Sequence, residues 1–225
     1  MEIIMSIENL YALLHGLWLT IVMAFFAASG AIIFGSILAV MRNYFTHRWH
    51  KIFGYFAGIY IEVFRNTPLL LWMYAACFVL PVVLGIPANY SVLGTIGLFL
   101  YTSSVMAEII RGGLNSIPRG QFEAAASQGF GFVFTLWYII LPQCYRKVTP
   151  TILSQCVTTI KDTSFLAALN VAELTNVSKD ILSRLTSFDE IVAVFITVAG
   201  LYFIVCFSLS CIVRFYSHYT RIRTS

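Results

Sequence analysis

Charge is what this chain has least of: Asp, Glu, Lys and Arg make up 11% of its 225 residues, against 59% hydrophobic residues. A water-soluble domain carries about twice that charged fraction, so the composition predicts a polytopic membrane protein instead. The net charge of +4 is dispersed, and the absence of a basic run excludes a nucleic-acid interface. The five cysteines, Cys77, Cys144, Cys156, Cys206 and Cys211, sit in apolar segments with neither paired nor metal-ligand spacing. They read as packing residues, which excludes a disulfide framework and a metal centre. No Gly-rich loop ending in Gly-Lys-Ser/Thr is present, so the chain alone cannot hydrolyse ATP. An intramembrane protease would need a serine with a histidine, or two aspartates at membrane depth. His15, His47, His50 and His218 fall at the ends of apolar runs, and Asp162 is the only aspartate inside one. No catalytic residue is expected. The first residues carry Glu2 and Glu8 rather than a basic region, and no small-residue cleavage site follows, which predicts an uncleaved span and not a signal peptide.

What the chain does have is long apolar runs. About 20 apolar residues in a helix cross a bilayer core. Gly16–Met41 is uncharged and long enough, and Asn66–Ala107 is about twice that length, split by Pro81, Gly85, Pro87 and Asn89. The latter reads as two helices, about 66–82 and 91–110. A fourth span runs from Pro142 or Val148 to Leu169 and a fifth from Ile191 to Val213. The expectation is an all-α membrane protein of about five spans. Arg42, Arg48, Lys51, Arg111, Arg119, Arg146, Lys147, Arg214, Arg221 and Arg223 fall on one side. Glu2, Glu8, Glu173, Asp180, Asp189 and Glu190 fall on the other, with only Lys179 and Arg184 as basic company. The positive-inside bias then puts the N-terminus outside and the C-terminus in the cytoplasm. Ala27, Ala31, Gly35 and Ala39 form a small-residue stripe for close helix packing, within the chain or between subunits. Five helices are too few to enclose a solute path, so pairing with a second such subunit about a two-fold axis is expected.

Three places carry candidate function. Between the third and fourth spans lies Glu123–Pro142, a cytoplasmic stretch with its own short helix. Glu123, Ala124, Ala125 and Ala126 favour helix, and Gly129 with Gly131 interrupts it. Phe130, Phe134 and Trp137 then form an aromatic stripe, and Pro142 marks the start of the next helix. A loop this long and apolar needs a surface to pack on, either its own bundle or a partner. Second, Lys161 and Asp162 lie well along the fourth span, where ionisable groups are costly and face a cavity or a partner. Neighbours on a helix diverge by about 100° and cannot neutralise one another directly. Thr158, Thr159, Thr163 and Ser164 add hydroxyls, and Asp162 is the natural counter-charge for an α-ammonium; the alternative is an interhelical salt bridge near the outer interface. Third, Glu62 and Arg65 form an i,i+3 pair before Pro68, read either as an interfacial ion pair or as a gate on the pathway, with a break or kink at the proline. Glu108 and Arg111 repeat the spacing at the inner end of the third span, as a boundary pair.

Glu123, Ala124, Ala125, Gly129, Ile139, Leu141 and Pro142 fill every position of a fixed pattern: Glu-Ala-Ala, three residues, Gly, nine residues, Ile, one residue, Leu-Pro. This resembles the signature loop of the permease subunits of ABC importers. The likeness extends from His15 to the basic tail. Lys161–Ser164 and the Glu62–Leu71 run, with Arg65-Asn66, Pro68 and the leucines after it, resemble the polar amino acid branch. Leu80-Pro81 and Pro142-Gln143 resemble its glutamine and glutamate members. The resemblance implies a type I importer transmembrane domain over residues 15–214, an extracytoplasmic segment 1–14 and a cytoplasmic basic tail 215–225. It implies that Glu123, Ala124, Ala125 and Gly129 form a coupling helix docked on an ATPase subunit. Lys161, Asp162, Thr163, Ser164, Glu62 and Arg65 would lie on the substrate pathway. ATP and Mg would be bound by the ATPase partner, none by this chain. An ATPase dimer, a second permease and an external amino-acid-binding protein complete the expected assembly, in a bacterial cytoplasmic membrane. The rival reading is a self-sufficient secondary transporter or channel.

Overall fold

The computed structural model describes residues 7–45 and 51–222. Glu2, His47, Arg48, His50 and Arg223 lie outside the described residues. Those described form α1 (Ile7–Tyr44), α2 (Lys51–Arg65), α3 (Leu69–Tyr74), α4 (Leu80–Leu84), α5 (Tyr90–Asn115), α6 (Gly120–Ser127), α7 (Phe132–Thr135), α8 (Leu141–Asp162), α9 (Leu174–Leu182) and α10 (Phe188–Ile222), with no strand among them. Helices α1, α5 and α10 are each long and apolar enough to cross a membrane, and α2 with α3–α4 forms a fourth, broken span bent by 107°. Helix α8 occupies the stretch expected as the fourth span and its 22 residues reach about 33 Å at 1.5 Å per residue, but it is not apolar enough to count as one by composition. Its composition is more polar because α1, α5 and α10 pack around it. Of the five expected spans, three are long apolar helices and the bent pair makes up to a fourth, with limits that differ from expectation. The first begins at Ile7 instead of Gly16, and the last runs on to Ile222.

The second span departs furthest from expectation. Pro68 does break it, but the fifteen residues before the break are helix rather than a connecting segment, and they pack on α1 and α5. Ala57 and Ile61 of α2 are fully buried with Leu38 of α1 and Ala107 of α5. Tyr60 donates its hydroxyl to the Leu100 carbonyl at 2.8 Å. The backbone freed by the break is held by side chains: Thr67 Oγ1 donates to the Val63 carbonyl at 2.6 Å, and Trp72 Nε1 donates to Thr67 Oγ1 at 2.6 Å.

Two π-helical turns, Ala75–Val79 and Leu136–Ile140, share one cause. Each ends two residues before a proline, Pro81 or Pro142. A proline ring clashes with the carbonyl four residues back, here those of Cys77 and Tyr138. The chain widens: Leu80 N–H bonds the Ala75 carbonyl and Leu141 N–H the Leu136 carbonyl, five residues back in each case. Pro142 stands in the first turn of α8, as expected of a helix start, but α8 is not a fresh start. It sits inside a helical path that continues from Phe132 to Asp162.

The centre of the fold is the α1–α5 contact. Ala27, Ala31 and Ala39 are wholly buried, so the small-residue stripe serves packing within the chain. At Gly35 a Cβ would stand 2.9 Å from both the Ala107 nitrogen and the Ser103 carbonyl oxygen of α5, so the two backbones touch. One apolar cluster around Met106, Ile110, Ile140 and Cys144 fills the half toward the end of α5 at Leu114, and another around Met73, Leu98 and Leu166 fills the half toward its start at Leu93. A third joins Leu13, Leu174 and Val194. Close packing of this kind is what associates helices in lipid, where apolar burial alone gives no drive.

Candidate functional site

The motif segment leaves the inner end of α5 through Pro118 and forms α6, an eight-residue helix with Glu123 exposed in its first turn. Ala124 is exposed and Ala125 buried. The helix stops because Gly129 takes φ +81°, a left-handed conformation that costs an L side chain energy. Phe130 N–H bonds the Ala125 carbonyl at 3.0 Å and Gly129 N–H the Ala126 carbonyl at 2.9 Å, the paired bonds of a Schellman cap. One side of the segment folds back on the bundle. Tyr44 of α1 meets Phe122 and Phe132 with ring centroids 5.7 and 5.5 Å apart, and Lys147 Nζ donates to the Ser116 carbonyl at 3.0 Å. The other side is left open. Phe130, Phe134 and Tyr138 stack in series at 4.7 and 4.5 Å, with Trp137 exposed beside them. The sequence placed Trp137 in that stripe. The structure puts Tyr138 there, one i,i+4 step on from Phe134, and turns Trp137 into an apolar cavity of about 430 Å³ with Ser36, Leu141 and Tyr145.

Lys161 and Asp162 close α8, where the chain tightens into a 3-10 helix, Thr163–Leu169. Lys161 is exposed and Asp162 half-buried, and among the described residues neither side chain forms a hydrogen bond or a salt bridge. The interhelical salt bridge is therefore not what holds them. The C-terminal end of a helix carries partial negative charge and favours cations. Lys161 suits that end, whereas the Asp162 carboxylate opposes it and gains from any cation brought alongside. Most of the neighbouring hydroxyls are already committed: Thr158, Thr159 and Thr163 donate to the carbonyls of Ser154, Gln155 and Ile160. Ser164 is half-buried in the first turn of the 3-10 helix.

Glu62 and Arg65 do not bond each other. Glu62 Oε1 accepts from Arg42 Nη2 at 2.6 Å, and Arg65 Nη1 stands 3.9 Å from Glu108. Glu108 accepts both arms of Arg111, at 2.6 and 3.0 Å, and also faces Arg42 at 3.4 Å. The two i,i+3 pairs of the sequence thus merge into one network of three guanidiniums and two carboxylates joining α1, α2 and α5. It lies far along the chain from Lys161 and Asp162, and no contact joins the two groups among the described residues.

The family described as "Binding-protein-dependent transport system inner membrane component" matches residues 31–221. The chain belongs to that family. A probable glutamine ABC transporter permease of Bacillus subtilis is 32% identical over 93% of this chain and 94% of its own length. A glutamate transport system permease of Corynebacterium glutamicum is 32% identical over 88% of this chain and 71% of its own. The crystal structure of an amino acid ABC transporter with histidines superposes with a TM-score of 0.81 at 25% identity, covering 94% of this chain and 95% of that one. The fold is that of type I ABC importer transmembrane domains, and the chain is an amino-acid ABC transporter permease.

One group of this permease escaped the sequence reading. Glu173 looked like a surface charge on the outer side; it is wholly buried. It caps α9: Oε1 accepts the Asn176 N–H at 2.7 Å and Oε2 the Thr175 N–H at 2.9 Å. Oε2 also accepts the Tyr202 hydroxyl of α10 at 3.1 Å and the Thr20 hydroxyl of α1 at 3.4 Å. One carboxylate therefore ties the first span, the last span and α9 together. Lys179 Nζ donates to the Ala167 carbonyl at 3.0 Å, which fixes the 3-10 helix after Asp162 to the same unit. The available signal was its place directly before a helix-forming run, where an acidic side chain accepts the free N–H groups.

Proposed function

We propose that this permease is the translocating subunit of an ATP-driven importer for polar amino acids, with glutamine and glutamate as leading substrates. The observation that carries the reading is the exposed aromatic ladder Phe130–Phe134–Tyr138 on a segment anchored to the bundle by Tyr44, Phe122 and Phe132. Such a patch on an otherwise folded element calls for a partner surface. In this reading the partner is the ATPase, which binds ATP and Mg; its closure is transmitted through Glu123, Ala124, Ala125 and Gly129 to α5 and α8. Substrate moves by alternating access, because a ligand shifts such a cycle only through unequal affinity for its two states. The α-ammonium of the amino acid meets Asp162, and Lys161 and Ser164 stand near enough in sequence to serve its carboxylate. Glutamine and glutamate come from what the relatives' names say of those relatives. A second permease copy or homologue completes the pathway, and an external binding protein delivers the substrate. The membrane is the bacterial cytoplasmic membrane, with the N-terminus outside.

The test is co-purification with an ABC-type ATPase subunit, followed by uptake of labelled glutamine into vesicles holding both subunits and an amino-acid-binding protein. ATP-dependent uptake is expected. Equal uptake by this chain without the ATPase would establish the rival, a self-sufficient transporter.

A further inference from the structure

A groove of about 390 Å³ runs between α1 and α2, lined by Arg42 on one side and by Gly54, Tyr55, Gly58, Ile59, Glu62 and Val63 on the other. Its floor is glycine: a Cβ added at Gly58 would meet nothing within 4 Å. Its rim is apolar and exposed, through Tyr55, Ile59 and Val63, and Ile52 and Phe56 extend the same face of α2. Its charged end is Arg42 and Glu62, which belong to the network they form with Arg65, Arg111 and Glu108, a network that holds one positive charge in excess. Arg65 is the least engaged of the three, 40% exposed, with the 3.9 Å approach to Glu108 as its ion pair. An aliphatic trough that ends on surplus guanidinium charge matches the two halves of one molecule.

We propose that the α1–α2 groove binds an anionic phospholipid, with the phosphate at Arg42 and Arg65 and an acyl chain along Gly58, Ile59 and Val63. The charge distribution selects the headgroup, since guanidinium pairs well with phosphate oxygens and basic groups at the inner surface attract anionic lipid. Gly58 makes room for the chain, Gly54 lets α2 approach the backbone of Phe45 at the end of α1, and the exposed aromatic and branched residues give the chain an apolar wall. The site lies against the 107° elbow between α2 and α3, so the bound lipid would brace the bend of the second span.

Native mass spectrometry of the full-length chain in detergent, titrated with phosphatidylglycerol or phosphatidylcholine, tests the site. One phosphatidylglycerol retained in preference to phosphatidylcholine is the expected result. Gly58→Leu places its side chain in open space, so the fold is kept, and the preference is expected to vanish. Arg42→Gln is expected to weaken retention about fivefold, the loss of one basic group's attraction to anionic lipid. Equal retention of both lipids, or full retention by Gly58→Leu, would overturn the assignment. So would displacement of the lipid by millimolar inorganic phosphate, which would make free phosphate the ligand. A dimer that Gly58→Leu dissociates would give the groove to a second copy of the chain instead.

Discussion

Asp162 is a carboxylate at the wrong end of a helix, half-buried and without a hydrogen-bond partner among the described residues. A cation beside it relieves both the helix-end repulsion and the desolvation. Asp162→Asn is therefore expected to raise the KM for amino-acid uptake by roughly tenfold or more, the value of one charged hydrogen bond, with membrane insertion unchanged. Measured in vesicles containing the assembled importer, an unaltered KM would remove Asp162 from the pocket. Glu173 makes the opposite case: its carboxylate accepts four hydrogen bonds, from two backbone N–H groups and two hydroxyls. Glu173→Ala leaves two backbone N–H groups and two hydroxyls facing an empty site, at about 1–3 kcal/mol for each donor left unpaired. A lower melting temperature in detergent is expected, and a smaller drop for Glu173→Gln, which keeps one carbonyl acceptor. The difference between the two residues was only half legible in the sequence. Asp162 stands inside an apolar run and announces itself, whereas Glu173 follows a turn and looks like any acid on the outer side. Burial by Thr20 and Tyr202, from 153 residues before and 29 after, is a tertiary fact that no local pattern carries.

At the scale of elements, prolines determine more than helix ends. Pro68 was readable as a break because the residue before a proline avoids the helical region, and the structure bends there. Pro81 and Pro142 widen their helices by one residue without ending them, and a π turn leaves no trace in apolar periodicity beyond the proline itself. The consequence is mechanical, because the extra residue at Leu136–Ile140 rotates α7 and its aromatic ladder relative to α8. Pro142→Ala removes the clash with the Tyr138 carbonyl and lets the turn relax to α-helix, re-aiming Phe130 and Phe134. Transport is expected to fall several-fold, about the effect of 1 kcal/mol or more at a positioned interface, while detergent stability holds. ATPase stimulation by the reconstituted permease would report it directly, and wild-type coupling in that variant would separate the π turn from function. Gly129→Val tests the cap at the other end of the ladder. A β-branched residue resists φ +81°, so α6 should lose its stop and coupling should fail. Helix α2 was missed for another reason. Lys51, Glu62 and Arg65 break its apolar count, yet each is accommodated at an exposed edge or in the charge network.

The whole molecule is lopsided. Helices α1 and α5 share a backbone contact at Gly35, α8 packs against both, and α10 stands at the margin with Phe195, Ile196, Phe203, Ile204, Phe207 and Ile212 exposed. Such a face belongs against lipid or against a second permease, and none of the three cavities described is lined by Asp162. The cavity at Trp137 and the one at Met23 and Thr95 both open on α1 and are apolar throughout, apart from Ser and Thr hydroxyls and Tyr145. Orientation decides how these parts are used, since a coupling segment is useful only on the side where ATP is. Arg42, Arg111, Arg119, Arg146 and Lys147 all cluster at the end that carries α6 and α7, and basic loops stay in the cytoplasm. Single cysteines in a background with the five native ones replaced give the decisive measurement. Ala88→Cys lies on the exposed turn between α4 and α5, and Gln128→Cys on the exposed end of α6. A membrane-impermeant maleimide is expected to label Ala88→Cys in intact cells and Gln128→Cys only after permeabilisation. The reverse pattern would place the aromatic ladder outside, beyond the reach of any ATP-driven partner, and the proposed coupling would fall with it.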